Sequence, residues 1–540
     1  MERRSPRPQV RVTRCGLSIT SPPYSSQFAT GTGNLADAAS KSTSNTESPR
    51  GLVRALGPKI ATAVVVGNVI GSGIFLKPGN IAGDAGQFST IIAVWVLGGI
   101  LCLCGGLCFA ELAAMYPGAG GLYVYLREAY GRPVAFLFGW TEVIFGKPAA
   151  IGALSVAFVG SFSLAVGGWL SPSAQVLFAI GLIVAMAWVN IVGVLWGGRL
   201  QLVVTVVKAV FLALVATVPF ILMPFTSDAI DIANYSSTVV PRHSGLAAQV
   251  GVVLLAVMWA YNGWHGVTSL AEEVRDPHRN IPLSLLLGIS ILIVLYIAAN
   301  FAYHGVLSMS EMQAAGDHAA EQMLKKLFGQ GGLTAMSVVI MCSTFGAINT
   351  NLLQAPRITF AMGRDNVFFR SLGRVHATFQ TPTAAIVLMA VMSITLVLAV
   401  AVAKQFVGST DAGSVIATPN DESPQSLLPL FVTSLRNNSI FSLLTNFVIF
   451  SASIFYSLGV LAVIVLRLRR PDVDRPYRTK GYPFVPALFL VVYIWFMTQT
   501  YYSNPLESRI GLLFIVLGVP VFLVYRYCHR NAMPQDNAEA

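Results

Sequence analysis

Gly71, Ser72 and Gly73 interrupt an apolar run that extends from Ile60 to Leu76. Backbone N–H and C=O groups freed at membrane depth must face protein or a water-filled cavity. A break inside a bilayer-length segment therefore points to a binding site near the midplane. Packing through small residues accounts for Gly67 and Gly71, four apart, but not for the triplet. A second apolar segment carries Trp259, Ala260, Tyr261, Asn262, Gly263, Trp264 and His265 at its centre. That central place separates the cluster from an interfacial aromatic belt. If both segments unwind, the N–H groups of Gly71, Ser72 and Gly73, at the start of a half-helix, attract an anion such as a carboxylate. Carbonyls of Val69, Trp259 and Asn262, with Ala260 between the last two, accept hydrogen bonds from an ammonium. An anion site beside a cation site fits a zwitterionic α-amino acid.

These residues need a membrane scaffold, and the composition supplies one. Hydrophobic residues make up 54% of the 540-residue chain and charged residues 11%. That is about half the charge of a soluble domain, and the length leaves room for twelve spans of about 20 residues. Expected spans cover 60–82 (broken near 71–73), 88–115, 134–163, 174–196, 200–225 and 247–270 (broken near 259–263). The rest are 281–305, 333–362, 382–403, 441–466, 483–502 and 509–527. With both termini placed inside, 26 of the 35 Lys and Arg residues fall on the inner side and seven on the outer. This asymmetry supports cytoplasmic termini and the span count together. The net charge of +11 thus reports topology and not nucleic-acid binding.

Residues 1–57 are rich in Ser, Thr and Arg, lack an apolar signal region, and read as a disordered cytoplasmic tail. A twelve-helix domain over 58–528 follows, then a C-terminal tail over 529–540. The polar stretch 407–438 reads as an outer loop insertion with a short helix near 427–435. Asn234 and Asn437 begin glycosylation triplets on outer loops. Cys102, Cys104 and Cys108 do not converge on one helical face, which favours packing over metal binding; no cofactor, metal site or disulfide framework is expected.

Lys208 lies in the fifth span, roughly 12 Å from Arg199 at helical rise, too deep to reach the interface. A lysine at that depth is a functional candidate. Glu111, Glu142 and Lys147 also lie within spans. Glu142 and Lys147 are five apart, poor spacing for a pair on one helix. The three are read as structural pairing residues. His265 and His304 receive no functional role.

The segment 71–75 resembles the first-helix signature of the amino acid–polyamine–organocation superfamily. Ala260 to Trp264, followed by Glu272 to Pro282, resembles its sixth helix and next inner loop. Further likenesses are Ala110-Glu111, Pro117 to Tyr125, Phe345 to Asp365, and Asp474 to Pro486. Within the superfamily, L-type and alanine-serine-cysteine-type exchangers look most similar. The resemblance implies an all-α LeuT-type fold of five plus five inverted helices, with repeats near 58–226 and 247–467 and two added helices over 483–527. Helices 1 and 6 are broken in it. Trp259 takes the place of the gating Phe of that family, and Lys208 matches the lysine of its sodium-independent members. Ser343 and Thr344 are then expected partners of Lys208. The family commonly has Arg where Lys147 stands.

The expected activity is secondary, sodium-independent exchange of neutral L-amino acids at the cell membrane. Proton-coupled symport through Lys208, or amino acid sensing through the tail, are the alternatives. No catalytic set of residues points to an enzyme. The expected partners are a small amino acid and the lipid bilayer, with no nucleic acid. No disulfide-linked heavy chain is expected, because the outer loop 165–173 has no cysteine.

Overall fold

The computed structural model describes residues 52, 54–226, 229–409 and 440–528. Residues 1–51 and 53 of the expected N-terminal tail, the C-terminal tail 529–540, the loop helix near 427–435 and Asn437 lie outside these residues. The protein is built from helices; among the described residues, β pairing is limited to the isolated bridges Leu56–Val274 and Gln87–Thr238.

Among the described residues, twelve helical segments are long and apolar enough to cross a membrane. Spans 1 to 6 are Pro58–Leu76, Phe88–Met115, Arg132–Ala165, Pro172–Val192, Gly197–Leu222 and Leu246–Glu273. Spans 7 to 12 are Pro277–Val306, Met309–Arg364, Thr383–Phe406, Val448–Arg469, Phe484–Ser503 and Pro505–Cys528. The helix that carries span 10 begins earlier, at Ile440. Several of these helices start on proline, whose missing N–H is not needed in the first turn: Pro58, Pro172 and Pro277. The helix Ala319–Arg364 bends at Gly329, whose φ of 61° no helical residue adopts. Two short helices escaped the sequence reading. Leu122–Tyr130 precedes span 3, and Met309–Ala315 is started by a Ser308–Glu311 capping box.

Span 2 packs along span 7, span 3 along span 8, and span 4 along span 9. Each pair is five apart in order, as a two-fold-related repeat of five helices requires. Spans 1 and 3 form the enclosed centre, with 83% and 78% of their apolar windows buried, whereas spans 11 and 12 show 28% and 22%. The all-α, LeuT-type five-plus-five arrangement with two peripheral helices is therefore present.

One end of the bundle is held by arginine. Arg127 meets Asp365 at 2.6 Å, Arg364 meets Glu272 at 2.8 Å, Arg467 meets Glu111 at 2.7 Å and Arg470 meets Glu128 at 2.9 Å. This is called the basic end below, and the other the roof. The packed unit reaches back past residue 58 at the basic end. Ala55 and Leu56 donate to the carbonyl of Glu273, Arg275 donates back to Leu56, and Leu52 is buried against Ala119 and Phe360.

Candidate functional site

Spans 1 and 6 break at the same level and face each other. The first helix of span 1 ends at Val69; Ile70 leaves the helical region with ψ 78°. Helix resumes at Gly73 and continues through Lys77, itself in helical φ/ψ, to Ala85. In span 6 the helix ends at Tyr261. Asn262 is extended, Gly263 is left-handed at φ 100°, and a tight 3₁₀ turn runs from Trp264 to Glu273. Two glycines permit the approach. A Cβ on Gly73 would lie 2.4 Å from Ala260 Cα, and one on Gly263 would lie 2.2 Å from Asn68 Nδ2. The Tyr296 hydroxyl reaches both broken segments, at 2.8 Å from Val69 O and 3.1 Å from Ala260 O.

The interruption leaves polar groups open on both sides. Among the described residues, the N–H groups of Ser72, Gly73 and Ile74 have no acceptor. The Ser72 hydroxyl is buried and also unpartnered. Gly71 does not offer the open N–H expected of it, because it donates to Val69 O at 2.7 Å. Val69 is corrected with it. Its carbonyl already accepts from Gly71 and Tyr296, which uses both lone pairs. Trp259 O accepts once, from Asn262 N–H. Asn262 O has no donor among the described residues, while its side-chain oxygen accepts from Tyr456 OH at 2.9 Å.

These groups surround a cavity of about 30 Å³, room for two or three water-sized spheres. Val69, Gly71, Ser72, Gly73, Trp259 and Asn262 all line it; Ala260 stands behind Gly73. The remaining wall comes from span 3 (Lys147, Ala150, Leu154) and span 8 (Ala347, Asn351). Among the described residues, no carboxylate lines it. Its floor toward the basic end is an amide cluster. Asn68 donates to Gly263 O at 2.9 Å and to Gln354 Oε1 at 3.3 Å, and Asn351 donates to Asn68 Oδ1 at 3.4 Å. Below it the buried pair Arg357–Glu273, at 2.8 Å, joins span 8 to span 6. On the roof side Trp259 sets its ring edge-on to Phe441, centroids 6.1 Å apart.

Lys208 is fully buried and braces the break. Its ammonium donates to Gly67 O, to Ile70 O at 2.6 Å and to Ser343 O at 3.3 Å. Ser343 adds a second tie, its hydroxyl donating to Ile70 O at 2.8 Å and Gly71 O at 3.0 Å. Thr344 is corrected: its hydroxyl turns back to Ile340 O and Met341 O of its own helix and does not meet Lys208.

The Glu142–Lys147 spacing is resolved by a π-helical turn. Residues Glu142–Gly146 form one wide turn, which brings positions five apart onto one face. Lys147 Nζ then lies 3.6 Å from Glu142 Oε2, both side chains buried. The pair is intrahelical, contrary to the sequence expectation, and Lys147 also lines the cavity. Glu111 pairs with Arg467 and additionally accepts from Thr479 N–H at 2.7 Å. The sequence reading left out Asn68, Tyr296, Asn351, Gln354 and Tyr456. Their only signal was polarity within apolar runs.

Comparison with known proteins follows the same outline. The amino acid permease family matches residues 56–524. The serine/threonine exchanger SteT of Bacillus subtilis (strain 168) is 31% identical over 474 residues, 87% of this chain and 97% of its own. The b(0,+)-type amino acid transporter 1 of Mus musculus is 28% identical over 90% of this chain and 91% of its own. The cystine/glutamate transporter of Homo sapiens is 26% identical over 86% and 83%. With two broken spans meeting at a central cavity and a family match along almost the whole apolar length, this chain belongs to the amino acid permease family and is a multi-pass membrane transporter, not an enzyme.

Proposed function

We propose that the protein is a sodium-independent exchanger of small neutral L-amino acids in the cell membrane, with its basic end and both termini in the cytoplasm. The observation that carries this reading is the opposed pair of open groups in the cavity. Free N–H groups at Ser72 and Gly73, with the Ser72 hydroxyl, suit a carboxylate; the free carbonyl of Asn262 suits an ammonium. A wall that holds Lys147 and, among the described residues, no carboxylate opposes a cationic side chain. A cavity this small favours a short one. The similarity to a serine/threonine exchanger points the same way.

Lys208 supports the reading of sodium independence. Three carbonyls converge on its ammonium, as they would on a bound cation. Three acceptors also match the three donors of the protonated form, which opposes proton coupling through this group. The loop over 165–173 supplies no cysteine, so the transporter is read as working without a disulfide-linked heavy chain.

Counterflow in proteoliposomes tests the reading. Vesicles loaded with serine or alanine should take up labelled amino acid, and empty vesicles should not. Replacing sodium by choline should change nothing. Uptake driven by an imposed pH gradient in empty vesicles would replace exchange by proton symport.

A further inference from the structure

Lys77 is 5% exposed, the first residue past the outer half of span 1, and the substrate site described above does not use it. Among the described residues its ammonium has one hydrogen bond, to Thr445 Oγ1 at 3.2 Å. It also lies over the Phe441 ring, 5.0 Å from the centroid. No described carboxylate comes within ion-pairing distance. Asp84 pairs with Arg242 at 3.4 Å, and Asp317 accepts from Asn80 at 2.6 Å. An ammonium carries three donors, so two of the three have no acceptor among the described residues while the group is 5% exposed. Position gives those donors a use. Phe441 sits edge-on against Trp259, and Trp259 lines the cavity. From the cavity toward the roof, the order is Trp259, Phe441, Lys77.

We propose that Lys77 is a second substrate-binding group on the roof-side route, where it takes the α-carboxylate of an amino acid while the roof is open. When the roof shuts, the carboxylate moves inward to the N–H groups of Ser72 and Gly73. The ammonium then settles on Phe441 and Thr445. The same charge repels cationic side chains on that route. Capture acts from one side of the membrane only, because the floor at the basic end is built from amides.

The assignment rests on the central cavity being the substrate site, and the two fail differently. If the cavity reading fails, no amino acid raises the melting temperature of the wild-type protein. If only the Lys77 assignment fails, that stabilisation remains. The test is exchange in proteoliposomes of known orientation, with KM measured separately from each side. Lys77→Met should raise the roof-side KM by about tenfold, the loss of one charge-assisted hydrogen bond, and leave the KM from the basic end unchanged. Lys77→Arg should restore the roof-side KM to near the wild-type value. Lys77→Gln serves if the Met variant does not fold. An unchanged roof-side KM in the uncharged variants, or an equal rise from both sides, would overturn the proposal. So would a wild-type roof-side KM that rises as much when external chloride is replaced by isethionate, which assigns the ammonium to an inorganic anion.

Discussion

Gly73→Ala adds a single methyl group at the closest approach of the two broken spans. An ideal Cβ there lies 2.4 Å from Ala260 Cα, 2.8 Å from its Cβ and 3.0 Å from its N. Carbon atoms in contact normally sit 3.5–4.0 Å apart, so the spans must separate by about 1 Å. The obstacle is backbone, which cannot rotate away. Overpacking of this kind costs about 1–3 kcal/mol. The clash exists only while spans 1 and 6 are together, so the closed state bears the cost and a state with the spans apart does not. Exchange passes through the closed state on each half-cycle. A 1–3 kcal/mol rise in that state should slow exchange by roughly 5- to 150-fold. The assay is counterflow of labelled serine in proteoliposomes, normalised to monodisperse protein. Amino-acid-dependent thermal stabilisation should shrink in parallel, since separation spoils the alignment of Ser72 N–H with the Asn262 carbonyl. Exchange within twofold of wild type would refute the claim that the closed spans meet at this glycine.

Lys208→Met should abolish exchange or make it sodium-dependent, because the carbonyls of Gly67, Ile70 and Ser343 lose their shared donor; uptake in sodium and in choline decides it. Arg357→Leu leaves the Glu273 carboxylate buried and unpaired, which should destabilise the protein by about 3–5 kcal/mol; thermal unfolding in detergent measures it, and the double variant Arg357→Leu, Glu273→Leu should recover most of the loss. Trp259→Phe should extend uptake from alanine toward leucine by trimming the roof of the cavity; an unchanged alanine-to-leucine ratio counts against Trp259 as a size filter. Tyr456→Phe removes the hydroxyl that orients the Asn262 side chain, at a cost of about 1 kcal/mol in substrate affinity, read as a KM increase of about fivefold.

Much of this architecture was legible because its signals are local. Glycine density at 71–73 and the Asn262–Gly263 pair inside an apolar run mark places where a helix cannot continue. Twelve long apolar segments and the skewed arginine distribution are likewise written in consecutive residues. The finer distribution of hydrogen bonds was not legible. Val69 loses its free carbonyl to Gly71, two residues on, and to Tyr296, which is distant in sequence. Thr344 could have faced Lys208 by spacing, but a threonine within a helix often satisfies its hydroxyl on the preceding turn. Asn68, Asn351 and Gln354 meet only through tertiary packing. The wide turn at Glu142–Gly146 has no composition signature, so five-residue spacing looked unfavourable for a pair that forms.

That wide turn also governs how span 3 can be compared or altered. In a regular helix one surplus residue would advance all that follows by about 100° around the axis; the wide turn takes it up locally, so the facing of the helix is kept while the sequence register shifts by one. In the segment from Lys147 to Ala165 the positions that share a face are therefore displaced by one residue in sequence from those before Glu142. Deleting any single position from Val143 to Gly146 should convert the wide turn into a regular one, with Glu142 and Lys147 then four apart and Lys147, Ala150 and Leu154 still on the chamber wall. Superposing this helix on an uninterrupted one demands a one-residue gap at the same point; without it, every downstream position is credited to the wrong side.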